Sequence, residues 1–176
     1  MSNLAADRVT LWPSSQDWLS ALYIIAPIYC TNGAPVIFGG GEAVDFGITL
    51  PDGERILGDH KTMRGLLSGI IVGTIVGIFE SFLSGTNVIV MASFASAGAL
   101  LGDLGGAFVK RRMHIQPGRP LPGVDQLDFV LGAILAVSLM YVPTSGSLLI
   151  LFCVTPPIHL LANICAYELG LKSNFW

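Results

Sequence analysis

Charge is scarce in this chain: Asp, Glu, Lys and Arg make up 12% of its 176 residues, while 52% are hydrophobic and the mean hydropathy is +0.68. An ordinary soluble domain carries about twice that charged fraction, so the composition excludes one. Cysteine is almost as rare. Cys30, Cys153 and Cys165 all fall in apolar stretches, which excludes a disulfide framework or a zinc spacing and leaves small buried hydrophobes. The opening "MSNLAADRVTLWPSSQDW" lacks the basic-then-apolar order of a cleavable secretory signal, so the first apolar run is expected to be retained. The net charge of -3 says less about partners than the placement of the charges does, and no nucleic-acid partner is expected.

What the chain has instead is long hydrophobic runs, at about 18–38, 66–83, 88–101, 127–142 and 148–169. Each approaches the length needed to cross roughly 30 Å of hydrocarbon, the third only if its helix continues through "GDLGG". The expected fold is a single all-α polytopic membrane domain, 1–176, with five transmembrane helices. Five spans put the loops 39–65 and 102–126 and the C-terminal tail on one face. Eight of the nine Lys and Arg lie there, and only Arg8 lies opposite. The positive-inside rule then predicts a multi-pass cell-membrane protein with its N-terminus outside and its C-terminus and active face cytoplasmic.

Several local patterns qualify this picture. "TNGAP" sets Asn32, Gly33 and Pro35 inside the first span, which reads as a kink or as part of a cavity wall. In the first loop, "VDFGITLPDGERILGD" alternates around Pro51-Asp52-Gly53 and predicts a small cytoplasmic β-hairpin. The preceding "GGGE" is a flexible turn rather than a phosphate cradle. Gly65, Gly69, Gly73 and Gly77 recur every fourth residue of the second span, a groove that serves internal packing or a homodimer. Glu80 is an interfacial or paired acid near that span's outer end. In the fifth span Pro156 and Pro157 predict a break or kink, and His159 and Asn163 fall one turn apart, bonding between helices or lining a cavity.

The charge concentrates in two related stretches, "GDHKTMRG" at 58–65 and "GDLGGAFVKRR" at 102–112, followed by "DQLDF" where the fourth span begins. A basic collar alone would explain Arg55, Arg119 and Lys172. Acids interleaved with cations at helix ends point further, to carboxylates holding a hard cation on a polyphosphate while Lys and Arg neutralise the other oxygens. With Asp103 taken as the end of the third helix, Lys110 follows two turns later, and Asp125 and Asp128 share a face of the next helix. The loop "HIQPGRPLPG" would then let Asp103 approach Asp128.

The stretch "GDLGGAFVKRR...LPGVDQLDF" resembles the C-terminal motif of the CTP:phosphatidate cytidylyltransferase family. Together with "DFGITLPDGERILGDHKTMRG" and "HLLANICAYELGLKSNFW", it is similar to that family's archaeal CDP-archaeol synthase branch over about residues 32–176. Gln126, where the wider bacterial and eukaryotic pattern has Arg, and the smaller number of spans set it apart from that pattern. The resemblance implies transfer of CMP from CTP to a diether lipid phosphate held in membrane lipid, with Mg²⁺, or Mn²⁺ in its place. It implies Asp103 and Asp128 as metal ligands, with Asp125 as a further ligand or base, and Lys110, Arg111 and Arg112 as phosphate contacts. It adds Asp59, Lys61, Thr62 and Arg64 from the branch's own motif to the nucleotide site. A small transporter is the alternative, suggested by the interrupted first and fifth helices; so is a lipid-binding membrane subunit with a basic face.

Overall fold

A computed structural model describes residues 13–172 and 174. Arg8, on which the expected outside N-terminus partly rests, lies outside the described residues, as do three positions of the closing "KSNFW". Five helices follow one another: α1 (Ser15–Phe38), α2 (Met63–Ser84), α3 (Ile89–Arg112), α4 (Val124–Ser138) and α5 (Ser145–Glu168). Side chains start three of them. Ser14 and Asp17 close a capping box on α1, with Asp17 N–H donating to Ser14 Oγ at 3.2 Å, and Thr62 and Thr144 accept from Gly65 and Ser147 N–H at 3.1 Å each. Gly85 ends α2 in the left-handed conformation, φ 70°.

Four helices, α1, α2, α3 and α5, are long and apolar enough to cross a membrane. The fourth element has 15 residues, a rise of about 22 Å, and begins and ends earlier than the expected 127–142. The third corrects the sequence reading in the other direction. It does not stop at 101 but runs through "GDLGG" to Arg112, because the Ala- and Gly-rich seam continues to pack on α4. Asp103 is therefore an interior residue of α3, and Lys110, Arg111 and Arg112 form its last turn, where cations suit the helix dipole.

The first and fifth helices are not broken at their prolines, and the cavity-lining alternative holds for Asn32, Pro35, His159 and Asn163. α1 continues through Pro27, Gly33 and Pro35, and α5 through Pro156 and Pro157. Polar contacts also join α1 to α5: Thr155, fully buried, donates to Leu151 O at 2.6 Å and accepts from Tyr29 OH at 2.9 Å.

Small residues set how the helices approach. The four glycines of α2 are its buried residues. A Cβ on Gly73 would collide with Ser96 and Thr31, one on Gly77 with Ala92, and one on Gly69 with Leu100 and Thr31 O at 3.0 Å. The groove is thus filled by α1 and α3 of the same chain rather than left for a second copy. Gly98 and Gly102 of α3 meet Gly132 and the Asp128 carbonyl of α4 in the same way. These contacts run in opposite directions along neighbouring helices, so the C-terminus of α1, the N-terminus of α2, the C-terminus of α3 and the N-terminus of α4 gather at one end. Between the helices Ile24, Ile28, Ala95, Ala99, Phe129, Val130, Ala133, Val137 and Leu151 form the core. Outward faces stay apolar, as Leu67, Ile71, Ile75 and Phe82 show on α2.

Among the described residues no strand forms in the 39–62 loop. Where a hairpin was expected, a turn around Pro51-Asp52-Gly53 is closed by an isolated antiparallel bridge, Thr49 to Arg55, and a second bridge joins Ala43 to Thr62.

Candidate active site

At the end where these four termini gather, a cavity of about 550 Å³ opens. Residues 57–62 of the first loop form one wall; Asp103, Ala107, Lys110 and Arg111 of α3 form the floor; Asp125 and Asp128 of α4 and His159 and Asn163 of α5 form the far side. The spacing of Asp103, Ala107, Lys110 and Arg111 puts them on one face of α3, so the helix's run past residue 101 is what brings all four residues to the site.

The charged groups pair across elements. Lys61 Nζ lies 2.6 Å from each oxygen of Asp103, joining the loop to α3. Lys110 Nζ lies 2.9 Å from each oxygen of Asp125, which also accepts from Leu121 N–H at 2.8 Å, joining α3 to α4. Asp128 is held against α3: a Cβ on Gly106 would strike its carboxylate, and its Oδ1 accepts from its own helix at Phe129 N–H, 2.6 Å. Asp103, Lys61 and Asp125 act electrostatically on Asp128. Arg111 is 4% exposed and lines the cavity, and its Nε is buried without a hydrogen-bond partner among the described residues. A buried guanidinium donor without an acceptor is costly unless a ligand supplies one.

The other expected site residues divide between the cavity and the surface outside it. Thr62 reaches the cavity, with its hydroxyl oxygen accepting from Gly65 N–H. Asp59 sits at the rim, paired with Arg55 Nη1 at 2.6 Å. Arg64 is exposed on the first turn of α2, outside the cavity. Arg112 is also outside it, directed into the 39–62 loop, where its Nη2 donates to Arg55 O at 2.6 Å and its Nη1 pairs with Asp52. Two residues read as basic collar, Arg119 and Lys172, line the cavity instead. Lys172 Nζ donates to Asn163 Oδ1 at 2.9 Å, Asn163 Nδ2 lies 3.3 Å from His159 Nδ1, and burial pulls the Lys172 ammonium below its usual pKa. Only the return of the C-terminal tail over α5 places that lysine, and no spacing within the tail signals it.

Among the described residues no group of three or more His, Cys, Asp or Glu stands close enough to hold a metal. The three aspartates expected as ligands therefore form no closed protein cage, since Asp103 and Asp125 each face a lysine. Carboxylates from two adjacent helices, beside cations, nevertheless fit Mg²⁺, which takes one or two protein oxygens and completes its shell with water and substrate phosphate. A second, apolar groove of about 850 Å³ runs along α3 and α4, lined by Leu101, Val109, Leu127, Leu131 and Leu135. Asp128 lines both spaces.

Comparisons with known proteins identify the family of the chain. The family model described as CarS-like, CDP-archaeol synthase, matches residues 16–176. The CDP-archaeol synthase of Pyrococcus horikoshii is 45% identical over 165 residues, covering 90% of this chain and 96% of that protein. That of Aeropyrum pernix is 44% identical over 167 residues, covering 91% and 96%, and that of Methanocaldococcus jannaschii 40% over 171 residues, covering 89% and 96%. A solved structure of an intramembrane enzyme for archaeal membrane lipid biosynthesis superposes with a TM-score of 0.78 at 42% identity, covering 83% of this chain and 94% of that one. The chain belongs to the CDP-archaeol synthase family.

Proposed function

We propose that the cavity binds CTP and that the apolar groove holds the isoprenoid chains of a diether lipid phosphate, on the cytoplasmic side of the membrane. The chain is a membrane cytidylyltransferase of archaeal lipid biosynthesis. The observation that carries the assignment of the site is Arg111, a buried cation at the floor of a cavity whose other walls present Lys61, Lys110 and Lys172. A nucleoside triphosphate is the ligand that supplies several anionic oxygens at once, and a cavity of about 550 Å³ accommodates it.

In the reaction, an oxygen of the acceptor phosphate attacks the α-phosphorus of CTP, the bond from that phosphorus to the bridging oxygen breaks, and pyrophosphate leaves with that oxygen. The acceptor is already anionic at neutral pH, so no side-chain nucleophile is needed. What must be overcome is the repulsion between two phosphates and the charge gathering on the leaving group. Arg111 and Lys110 neutralise phosphate oxygens from α3, and Lys61 does so from the loop. Asp103 and Asp128 are the residues that would hold Mg²⁺, or Mn²⁺, with Asp125 beside them. Such an ion, when bound, supplies further neutralisation of the triphosphate. Asp103 and Asp125 meanwhile hold Lys61 and Lys110 in place, so each carboxylate orients a cation even before substrate enters.

Because Asp128 borders both spaces, a headgroup in the polar cavity leaves its chains in the groove between α3 and α4. The bilayer then never releases them, at a cost avoided of about 0.8 kcal/mol per CH₂. The cytoplasmic placement follows from the gathering of eight of nine Lys and Arg at this end. Purified protein in detergent, given labelled CTP, Mg²⁺ and the diether phosphate, should yield labelled CDP-lipid and pyrophosphate. Folded protein that forms neither would overturn the assignment. Chelation should abolish the product and added Mg²⁺ or Mn²⁺ restore it.

A further inference from the structure

Arg112 follows Arg111 directly, yet the two side chains leave α3 in different directions. Arg112 Nη1 pairs with Asp52, and Nη2 donates to Arg55 O at 2.6 Å and, at 3.4 Å, to Glu54 O. Its guanidinium also lies over the Phe108 ring, 5.3 Å from the centroid, which fixes the stem of the side chain against its own helix. These contacts grip the tip of the 39–62 loop.

From the tip the constraint passes along the loop. Arg55 reaches back to Asp45, whose side chain is fully buried and whose Oδ2 accepts from Leu57 and Gly58 N–H at 2.9 Å each. Three residues further on, Lys61 meets Asp103 on α3. The loop is thus held to α3 at both its tip and its base, and the segment between is the wall of the cavity. A planar five-donor group that takes a carboxylate and backbone carbonyls together restricts both position and tilt of what it holds, which a lysine cannot reproduce.

We infer that Arg112 is a positioning residue for the nucleotide site, acting through the turn at 52–55 to set the backbone of 57–61 and the Lys61 ammonium over the cavity. The inference rests on the proposed nucleotide site, but its first readout does not. Trypsin cleaves after Arg55, which the loop's own contacts protect. In detergent-solubilised protein, Arg112→Ala and Asp52→Ala should each speed cleavage after Arg55 while leaving the helical far-ultraviolet spectrum intact.

Kinetically, both substitutions should raise KM for CTP by about tenfold with little change in KM for the lipid phosphate, and the double variant should be no worse than the worse single one. Arg112→Lys should recover only part of the loss. Effects that multiply, or Asp52→Ala behaving like the wild type, would mean that Arg112 touches the nucleotide directly and would overturn the inference. Unchanged cleavage and unchanged KM in both variants would overturn it as well. Absence of CDP-lipid from the wild-type protein is a separate result, which defeats the site assignment while the cleavage comparison still stands. Should Arg112→Ala fail to fold, Asp52→Ala and Arg112→Lys carry the same comparison, since Asp52 is a partly exposed loop residue.

Discussion

Asp128 and Gly106 show how much a single contact decides here. The carboxylate of Asp128 occupies space that any Cβ at position 106 would fill. Gly106→Ala should therefore lower turnover strongly, with the helical fold kept, which initial rates and thermal unfolding together would show. Asp103→Asn and Asp128→Asn should each reduce kcat by about a hundredfold or more without loss of folded protein, since each removes charge rather than volume. Asp45 behaves differently. The Arg55 guanidinium, and then the N–H groups of Gly58, Leu57 and Gly47, hold its carboxyl well below the usual carboxylate range. A depressed folded value means that the carboxylate stabilises the loop above the unfolded pKa of about 3.9, and that this stabilisation is lost progressively as pH falls below it. Loop protection, followed by hydrogen exchange at the Leu57 and Gly58 N–H groups and corrected for intrinsic exchange, should be flat from pH 7 to pH 5 and decline below about pH 4. Asp45→Asn should weaken that dependence, leaving the part carried by the Asp52 carboxylate.

At the scale of the helices, glycine spacing sets how closely they pack. The repeat at Gly65, Gly69, Gly73 and Gly77 is legible in the sequence as a close-approach surface, but not its occupant. Internal packing and a homodimer demand the same small residues. The structure puts Thr31, Ala92, Ser96 and Leu100 against the stripe. Gly73→Leu should cost the fold about 1–3 kcal/mol, read as a lowered midpoint of unfolding, whereas Ile75→Leu on the outward face should leave it unchanged. The end of the third helix at 101, as against its continuation through "GDLGG", is undecided by the sequence for a related reason. Gly102, Asp103, Gly105 and Gly106 look like a terminus when only hydropathy is followed, because Gly disfavours helix and Asp disfavours lipid. Packing against Gly132 and Asp128 supplies what local propensity lacks. Pro156 and Pro157 likewise free backbone carbonyls, yet α5 runs on through them without a break.

Over the whole molecule, one end carries the charged cavity and the other is held by short polar caps. At the far end Asp17 of α1 pairs with Thr144 at the start of α5, and Ser147 donates to Asp17 O at 3.2 Å. Eight of nine Lys and Arg lie at the active end. CTP does not cross a bilayer, so sealed vesicles with the cytoplasmic face outward should convert external CTP directly, and vesicles of the opposite orientation only after permeabilisation. Equal rates in both would contradict the cytoplasmic placement.

Sequence alone was enough to determine that this is a helical membrane protein with its charge on one side, and which motifs carry that charge. Hydropathy and residue chemistry are properties of neighbouring residues, and they survive without any knowledge of the fold. Tertiary structure decided the rest. Lys172 enters the cavity only because the chain turns back after α5, and Arg112 leaves it only because a loop sixty residues earlier occupies its side of α3. Adjacent arginines share composition, charge and helix, and differ by the roughly 100° that separates successive side chains. What lies in each of those directions is set by packing between distant segments, which no local pattern records.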